Sequence, residues 1–247
     1  MHTEPIPPEQ QQLLDQAREL ITGGNASGVT LRALGGIGIA FQCPAALRPP
    51  LARRWKDLDF IIPAGDQQRV EQYLEAAGLQ ADKEFNALHG RQRLNFAHAA
   101  HRYDVDVFVD RLTMCHTLDL SGRLSADEMT LDPDDLLLSK LQVVETNDRD
   151  FLDILAIVSD HQVDRRRLFD VLAKDWGWYR TATEVLDKSA AYARELDGIE
   201  DRGQVIARLA ALREDIEAAP KSRGWKLRAR IGERVRWYDL PEEVEAV

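Results

Sequence analysis

Cysteine is nearly absent from this 247-residue chain: there are two, Cys43 and Cys115. Two isolated thiols exclude a disulfide-rich secreted scaffold and predict reduced side chains in a cytoplasmic setting. Cys115-His116 has no second ligand pair at zinc-site spacing, and His98 and His101 are scattered, so a structural zinc site is not expected. No apolar run approaches the ~20 residues needed to span a bilayer. The polar, proline-containing stretch Met1–Gln12 lacks the basic-then-apolar pattern of a secretory leader. No Walker-type glycine loop and no Gly-x-Ser-x-Gly nucleophile motif occurs. Positive charge is in the minority: 32 Lys and Arg against 42 Asp and Glu leave a net charge of −10. The chain as a whole is therefore not a general nucleic-acid binder. Its 44% hydrophobic content is that of a globular protein, and its length allows one large domain or two small ones.

What is present is a glycine pair followed by two acidic strands. The pieces are Leu34-Gly35-Gly36-Ile37, Lys56-Asp57-Leu58-Asp59-Phe60-Ile61-Ile62 and Tyr103-Asp104-Val105-Asp106-Val107-Phe108-Val109. Residues i and i+2 of a strand share a face, roughly 6.5–7 Å apart. Asp57 and Asp59 are thus expected on one face, and Asp104 and Asp106 on one face of the second strand. Clustered carboxylates repel unless a cation lies between them, which makes them a candidate Mg2+ (or Mn2+) cradle; an arginine is the alternative partner. The bland alternative is a pair of acids on a solvent-facing edge, but Phe60-Ile61-Ile62 argues for a buried central strand. The third acid is Asp106 or Asp104; Asp106 lies deeper among apolar neighbours, and Asp110 falls at the strand end. The glycine pair would let backbone approach a phosphate closely.

These residues resemble the nucleotidyltransferase superfamily that includes DNA polymerase β. Its pattern is a Gly-Gly or Gly-Ser turn opening a helix, Asp-x-Asp on a strand, and a third acid on a neighbouring strand. The resemblance covers residues ~30–110. It implies that Asp57, Asp59 and Asp106 hold divalent metal, that Gly35 and Gly36 cradle phosphates, and that a nucleoside monophosphate moves from a nucleoside triphosphate to an acceptor. The long stretch from Gly36 to Asp57, with Pro44, Pro49 and Pro50, departs from the pattern.

A second constellation lies at Leu136-Leu137-Leu138-Ser139-Lys140-Leu141 and at Asp148 to Leu155. Asp150 and Asp153 are three apart and share a helix face. This resembles AbiEii-like nucleotidyltransferases, some of which are toxins paired with an antitoxin protein. The resemblance implies that Lys140 neutralises triphosphate charge with Asp150 beside it; the alternative is a surface ion pair between adjacent helices. His89-Gly90-Arg91-Gln92-Arg93 lies between the acidic strands. If it is extended, Arg91 and Arg93 share a face, where they contact phosphates, pair with the acids or point to solvent.

The coarse pattern predicts an α/β (α+β) fold over 1–125 with an appended α-helical domain over 126–247, and the resemblance implies that the first part is a small mixed-sheet nucleotidyltransferase core. Expected elements are a helix at 9–22 stopped by Gly23-Gly24-Asn25, and strands at 29–34 and 58–62. A helix capped by Asp66 should run to Ala77, with short strands near 84–88, 92–97 and 103–109 and helices from Pro133 onward. Near the end, Lys221, Arg223, Lys226, Arg228, Arg230, Arg234 and Arg236 face a single acid, Glu233, with Trp225, Trp237 and Tyr238 interleaved. That composition suits RNA. The alternative is a terminal helix docking its aromatics and pairing its arginines with an acidic protein. The acceptor is left among RNA, a protein side chain and an antibiotic-type small molecule. A non-catalytic nucleotide-binding or partner-binding module of the same fold is the other class.

Overall fold

The computed structural model describes residues 6–100, 102–125 and 127–240. His101 and positions 1–5 of the leading segment therefore lie outside it. A five-stranded mixed sheet has the order β1-β2-β5-β4-β3, with β1 at Arg32–Ala33, β2 at Leu58–Ile62, β3 at Leu79–Ala81, β4 at Arg93–His98 and β5 at Asp104–Val109. In this sheet β2 and β5 pair in parallel, in the register Leu58 to Val105 and Asp59 to Asp106, and the other named strand pairs are antiparallel. A second sheet pairs β6 (Arg111–Thr113) with β7 (Thr117–Asp119).

Strand alternation sorts side chains into two cores. Leu58, Phe60, Ile62, Val105, Val107 and Val109 pack with Leu94 and Phe96 against α1 (Pro8–Ala26) and α3 (Gln67–Ala76). Ile61 turns the other way, into a core with Leu136, Leu137 and Leu138 of α5 (Pro133–Leu141) and Ile154, Leu155 and Ile157 of α6 (Asp148–Asp160). That core continues through α7 (Arg165–Leu172), α8 (Trp176–Glu195) and α9 (Arg202–Ala218), and α10 (Arg223–Ile231) rests on α8. The acid-bearing face of the sheet thus looks toward the helices.

Several expected boundaries shift, each for a packing reason. Helix α1 runs through Gly23 and Gly24 instead of stopping there. A Cβ at Gly23 would lie 2.5 Å from the Tyr73 hydroxyl, so this glycine serves close approach to α3. The 29–34 strand shrinks to two residues, although the flanking Val29, Leu31 and Leu34 are all buried. Residues 83–89 form helix α4 (Lys83–His89), not a strand: the Asp82 carboxylate accepts from the Phe85 N–H at 2.9 Å and caps it. Asp66 stands at the start of α3 without capping it; its carboxylate accepts from Thr30 N–H at 2.8 Å and pairs with Arg69. Both cysteines are free and buried. No helix among the described residues is long and apolar enough to cross a membrane.

Candidate active site

A cleft of about 1020 Å³ opens on the acid-bearing face, between the sheet and α5–α6. Gly35, Asp59, Asp106, Arg91, Arg93, Lys140 and Asp150 all line it.

Its floor is the β2–β5 pair. Asp59 and Asp106 are direct register partners on parallel strands, so their side chains stand side by side. Asp59 is half-buried and, among the described residues, its carboxylate has no hydrogen-bond or ion-pair partner. Burial first, then the charges of Asp57 and Asp106, push its carboxyl up to about 7, against the opposing pull of Lys140 and Arg93. Asp57 precedes the first residue of β2 and is exposed. Asp104 is exposed at the start of β5, opposite Ala97 of β4. Asp110 ends β5 in a left-handed turn (φ 56°), and its carboxylate accepts from Ala64 N–H at 3.1 Å.

Asp106 is engaged by protein on both oxygens. Arg93 donates Nε to Oδ1 at 3.0 Å and an Nη to Oδ2 at 2.7 Å. Asn95, across the β4–β5 ladder, donates to Oδ1 at 2.8 Å when its amide nitrogen is assigned to that side. The Arg93 guanidinium lies over the Phe108 ring at 5.2 Å and the Phe85 ring at 5.9 Å. Arg91 sits in the turn before β4, exposed at the rim, so the two arginines do not share a strand face.

The roof is α2 (Gly35–Gln42). Gly35 opens it with φ +60°, and a Cβ there would stand 2.3 Å from Asp59 Oδ2. A Cβ on Gly36 would stand 2.1 Å from an Arg53 Nη. The glycine pair is therefore demanded twice over, by backbone conformation and by contact with charged groups. The first-turn N–H groups of α2 have no intrahelical partners and point their positive dipole end at the cleft. Gly35→Ala is expected to destabilise the protein by roughly 2 kcal/mol or more, seen as a lower melting temperature. Gly65→Ala, where a Cβ meets nothing within 4 Å, should be near neutral.

The far wall is a buried ion cluster. Lys140 Nζ lies 2.8 Å from Asp153 and 3.2 Å from Asp150, and Arg53 holds Asp153 with two bonds of 2.7 Å. Burial alone would raise the Asp153 carboxyl, but Lys140 and Arg53 hold it below the usual range. Burial alone would lower Lys140; Asp153 and Asp150 raise it instead and keep it charged. The surface ion pair considered as an alternative is thus neither at the surface nor simply a pair. Replacement of Lys140 without a stability cost is not expected from this geometry. Arg53 escaped the sequence reading because its partner lies 100 residues away and nothing local distinguishes it from Arg54.

Lys221 and Arg228 are structural. Lys221 donates to the carbonyls ending α9, including Ala219 at 2.9 Å; Arg228 donates to Gly232 and Val235 carbonyls and covers the Trp176 ring at 4.8 Å. Trp237 packs edge-on against Trp176. The aromatics dock as the structural alternative expects. Arg223, Lys226, Arg230, Arg234 and Arg236 do not follow it: they are exposed, with no ion pair among the described residues.

Among the described residues no three His, Cys, Asp or Glu side chains form a ready ligand shell for a metal. The donor chemistry nevertheless suits a hard divalent cation: oxygen-only, with one carboxylate unpartnered and strained by two like charges.

A family model described as an uncharacterised nucleotidyltransferase matches residues 6–156, a span that holds every cleft residue of the floor, the roof and the ion cluster. No curated protein matches the chain.

Proposed function

The chain belongs to this family of uncharacterised nucleotidyltransferases, and on that footing we propose that it transfers a nucleoside monophosphate from a nucleoside triphosphate to RNA in a metal-dependent reaction. The observation that carries the reading is the side-by-side placement of Asp59 and Asp106 beneath a glycine turn and beside a buried lysine. In the reaction an acceptor oxygen forms a bond to the α-phosphorus, the bond to the bridging oxygen breaks in line, and pyrophosphate leaves. Asp57, Asp59 and Asp106 would hold Mg2+ (or Mn2+). Bound there, the cation would offset charge on the attacking and leaving oxygens. The Gly35-Gly36 turn offers backbone N–H groups to the triphosphate, and Lys140 offers a point charge. Most of the rate enhancement would then come from positioning and charge complementarity. The test is transfer of label from each α-labelled nucleoside triphosphate to total RNA, protein or antibiotics, with Mg2+ or with chelator. Label appearing only on RNA and only with metal supports the reading; label on an antibiotic supports the small-molecule alternative. Metal-dependent nucleotide binding without transfer to any acceptor supports the binding module.

RNA as acceptor rests on the exposed cations of α10 and the turn after it, on a protein that is otherwise acidic. The chain then returns toward the cleft, where Asp239 and Leu240 line the rim. Each phosphate contact to a single strand contributes about 0.7 to the salt slope of binding. Arg230→Ala with Arg234→Ala should therefore weaken RNA binding and flatten that slope by about 1.4, with the melting temperature little changed. An unchanged slope removes RNA from this surface.

A toxin–antitoxin role is the second reading. Lys140 with Asp150 supports the AbiEii-like subtype, and Leu227 and Val235, 65% and 58% exposed beside those cations, favour an acidic partner protein. Co-expression with a neighbouring gene product that covers this helix and relieves growth arrest would establish it.

A further inference from the structure

Three donors already occupy the Asp106 carboxylate on both oxygens: two guanidinium bonds and the Asn95 amide. Its register partner Asp59 has no partner at all among the described residues. A cation placed between the two carboxylates would meet the guanidinium as a like charge, so Arg93 and the metal compete for the same acid. The ion pair that must be given up is partly solvated, with side-chain exposures of 34% for Arg93 and 20% for Asp106. Two parallel bonds make this pair stronger than a typical surface ion pair, and its partial solvation still leaves it able to exchange. The Phe108 and Phe85 rings lie beside the guanidinium, so once released it stays at the cleft wall, next to His89 and Arg91. There a planar, two-pronged donor suits phosphate oxygens as well as it suits a carboxylate.

We propose that Arg93 is a resident counter-ion which leaves Asp106 when metal arrives and re-pairs with the phosphates of the nucleotide, so that metal and nucleotide bind cooperatively and neither binds well alone. This rests on the nucleotidyltransferase reading above. Arg93 is a positioning and binding residue in this scheme, and no bond to it forms or breaks. The coupling is reciprocal: whatever factor nucleotide adds to metal affinity, metal adds to nucleotide affinity.

The experiment measures Mn2+ affinity of the full chain with and without a non-hydrolysable nucleoside triphosphate analogue. Wild-type protein should bind Mn2+ weakly alone and more tightly with analogue. Arg93→Gln removes the competitor and the phosphate ligand together. Mn2+ binding without analogue should then strengthen, by roughly tenfold if the lost pair is worth about 1.4 kcal/mol. Analogue binding in saturating Mn2+ should weaken by a similar factor, and the coupling between the two should fall toward one. Arg93→Lys keeps the charge and should show the same signs with smaller size, which serves if Arg93→Gln folds poorly. Arg111→Gln is the control for general charge: Arg111 lines the same cleft but is 62% exposed and pairs with Asp119. Its effect on Mn2+ affinity should stay under about twofold, because an exposed charge is screened. Arg93→Gln that leaves metal affinity unchanged or weaker, or that matches Arg111→Gln, overturns the exchange while leaving the nucleotidyltransferase reading in place. Wild-type protein that binds no analogue with any metal overturns that reading, and the exchange with it.

Discussion

Asp59→Asn is expected to make the metal-free protein more stable. The carboxyl of Asp59 is pushed up to about 7 by burial and by Asp57 and Asp106, whereas an unfolded chain ionises it near 3.9. The sign follows from proton counting. Below about pH 4 both states hold the proton and Asp59 costs nothing. Between about 4 and 7 the folded state binds more protons than the unfolded one, so stability falls as pH rises. Above 7 the full penalty applies, on the order of 4 kcal/mol at about 1.4 kcal/mol per unit. Asparagine keeps the shape that fits against Gly35 and removes the charge. In chelator the variant should melt with wild type near pH 4 and roughly 8–16 °C above it at pH 8. Mg2+ should raise the wild-type curve and leave the variant's in place. A variant that melts at or below wild type at pH 8 in chelator would contradict this electrostatic account. Nucleotide transfer should be lost with the metal response, so the acid that makes the site costs the fold stability.

Asp153→Ala should have the opposite effect, of comparable size. Asp153 is 3% exposed at its side chain and serves Arg53 and Lys140 together. Its removal leaves two buried cations that have lost their shared carboxylate, with Asp150 still beside Lys140. Breaking a buried pair from one side costs about 3–5 kcal/mol, enough to lower the melting temperature by roughly 6–20 °C in a chain of this length. The loss should reach the glycine turn as well, because Arg53 packs under Gly36. Asp153→Asn, which keeps hydrogen bonding to Arg53, should lose less. Equal melting temperatures for Asp153→Ala and wild type would show that the cluster is hydrated and not structural.

The parts of this molecule legible in the sequence are those whose signal is local. Alternation around Asp106 locates β5, and the apolar run Phe60-Ile61-Ile62 locates β2 as a central strand buried on both faces. The glycine pair marked the start of α2, and Leu136 to Leu141 marked α5. Residues 83–89 misled because Phe85 and Ala87 alternate with polar neighbours, yet Leu88 is 74% exposed and the Asp82 cap decides for a helix. Gly23-Gly24 misled because a glycine placed for contact with Tyr73 looks in sequence like one placed to end a helix. At the site, the spacing of the acids places Asp59 and Asp106 for pairing across β2 and β5, while for Arg93 the sequence leaves phosphate, the acids and solvent all open. Arg53 is not legible at all, since a bond across 100 residues leaves no trace in local pattern. Nor could spacing tell that Asp106 would be occupied and Asp59 left bare, because that depends on the reach of one arginine across the β4–β5 ladder.

The division of β2 between two cores bears on how the bare acid finds its place. Asp59 makes no hydrogen bond that would locate it, so its position is inherited from its neighbours: Phe60 and Ile62 enter one core and Ile61 the other. A slip of β2 by one residue against β5 would invert every side chain. It would drive the carboxylate into the layer of Val70 and Leu74 and expel Phe60 toward the cleft. Burying that group unpaired costs several kcal/mol, so a misaligned chain cannot settle. The carboxylate thus acts as a proofreader of strand register: the group least welcome in the folded interior is also the one that rejects the wrong fold.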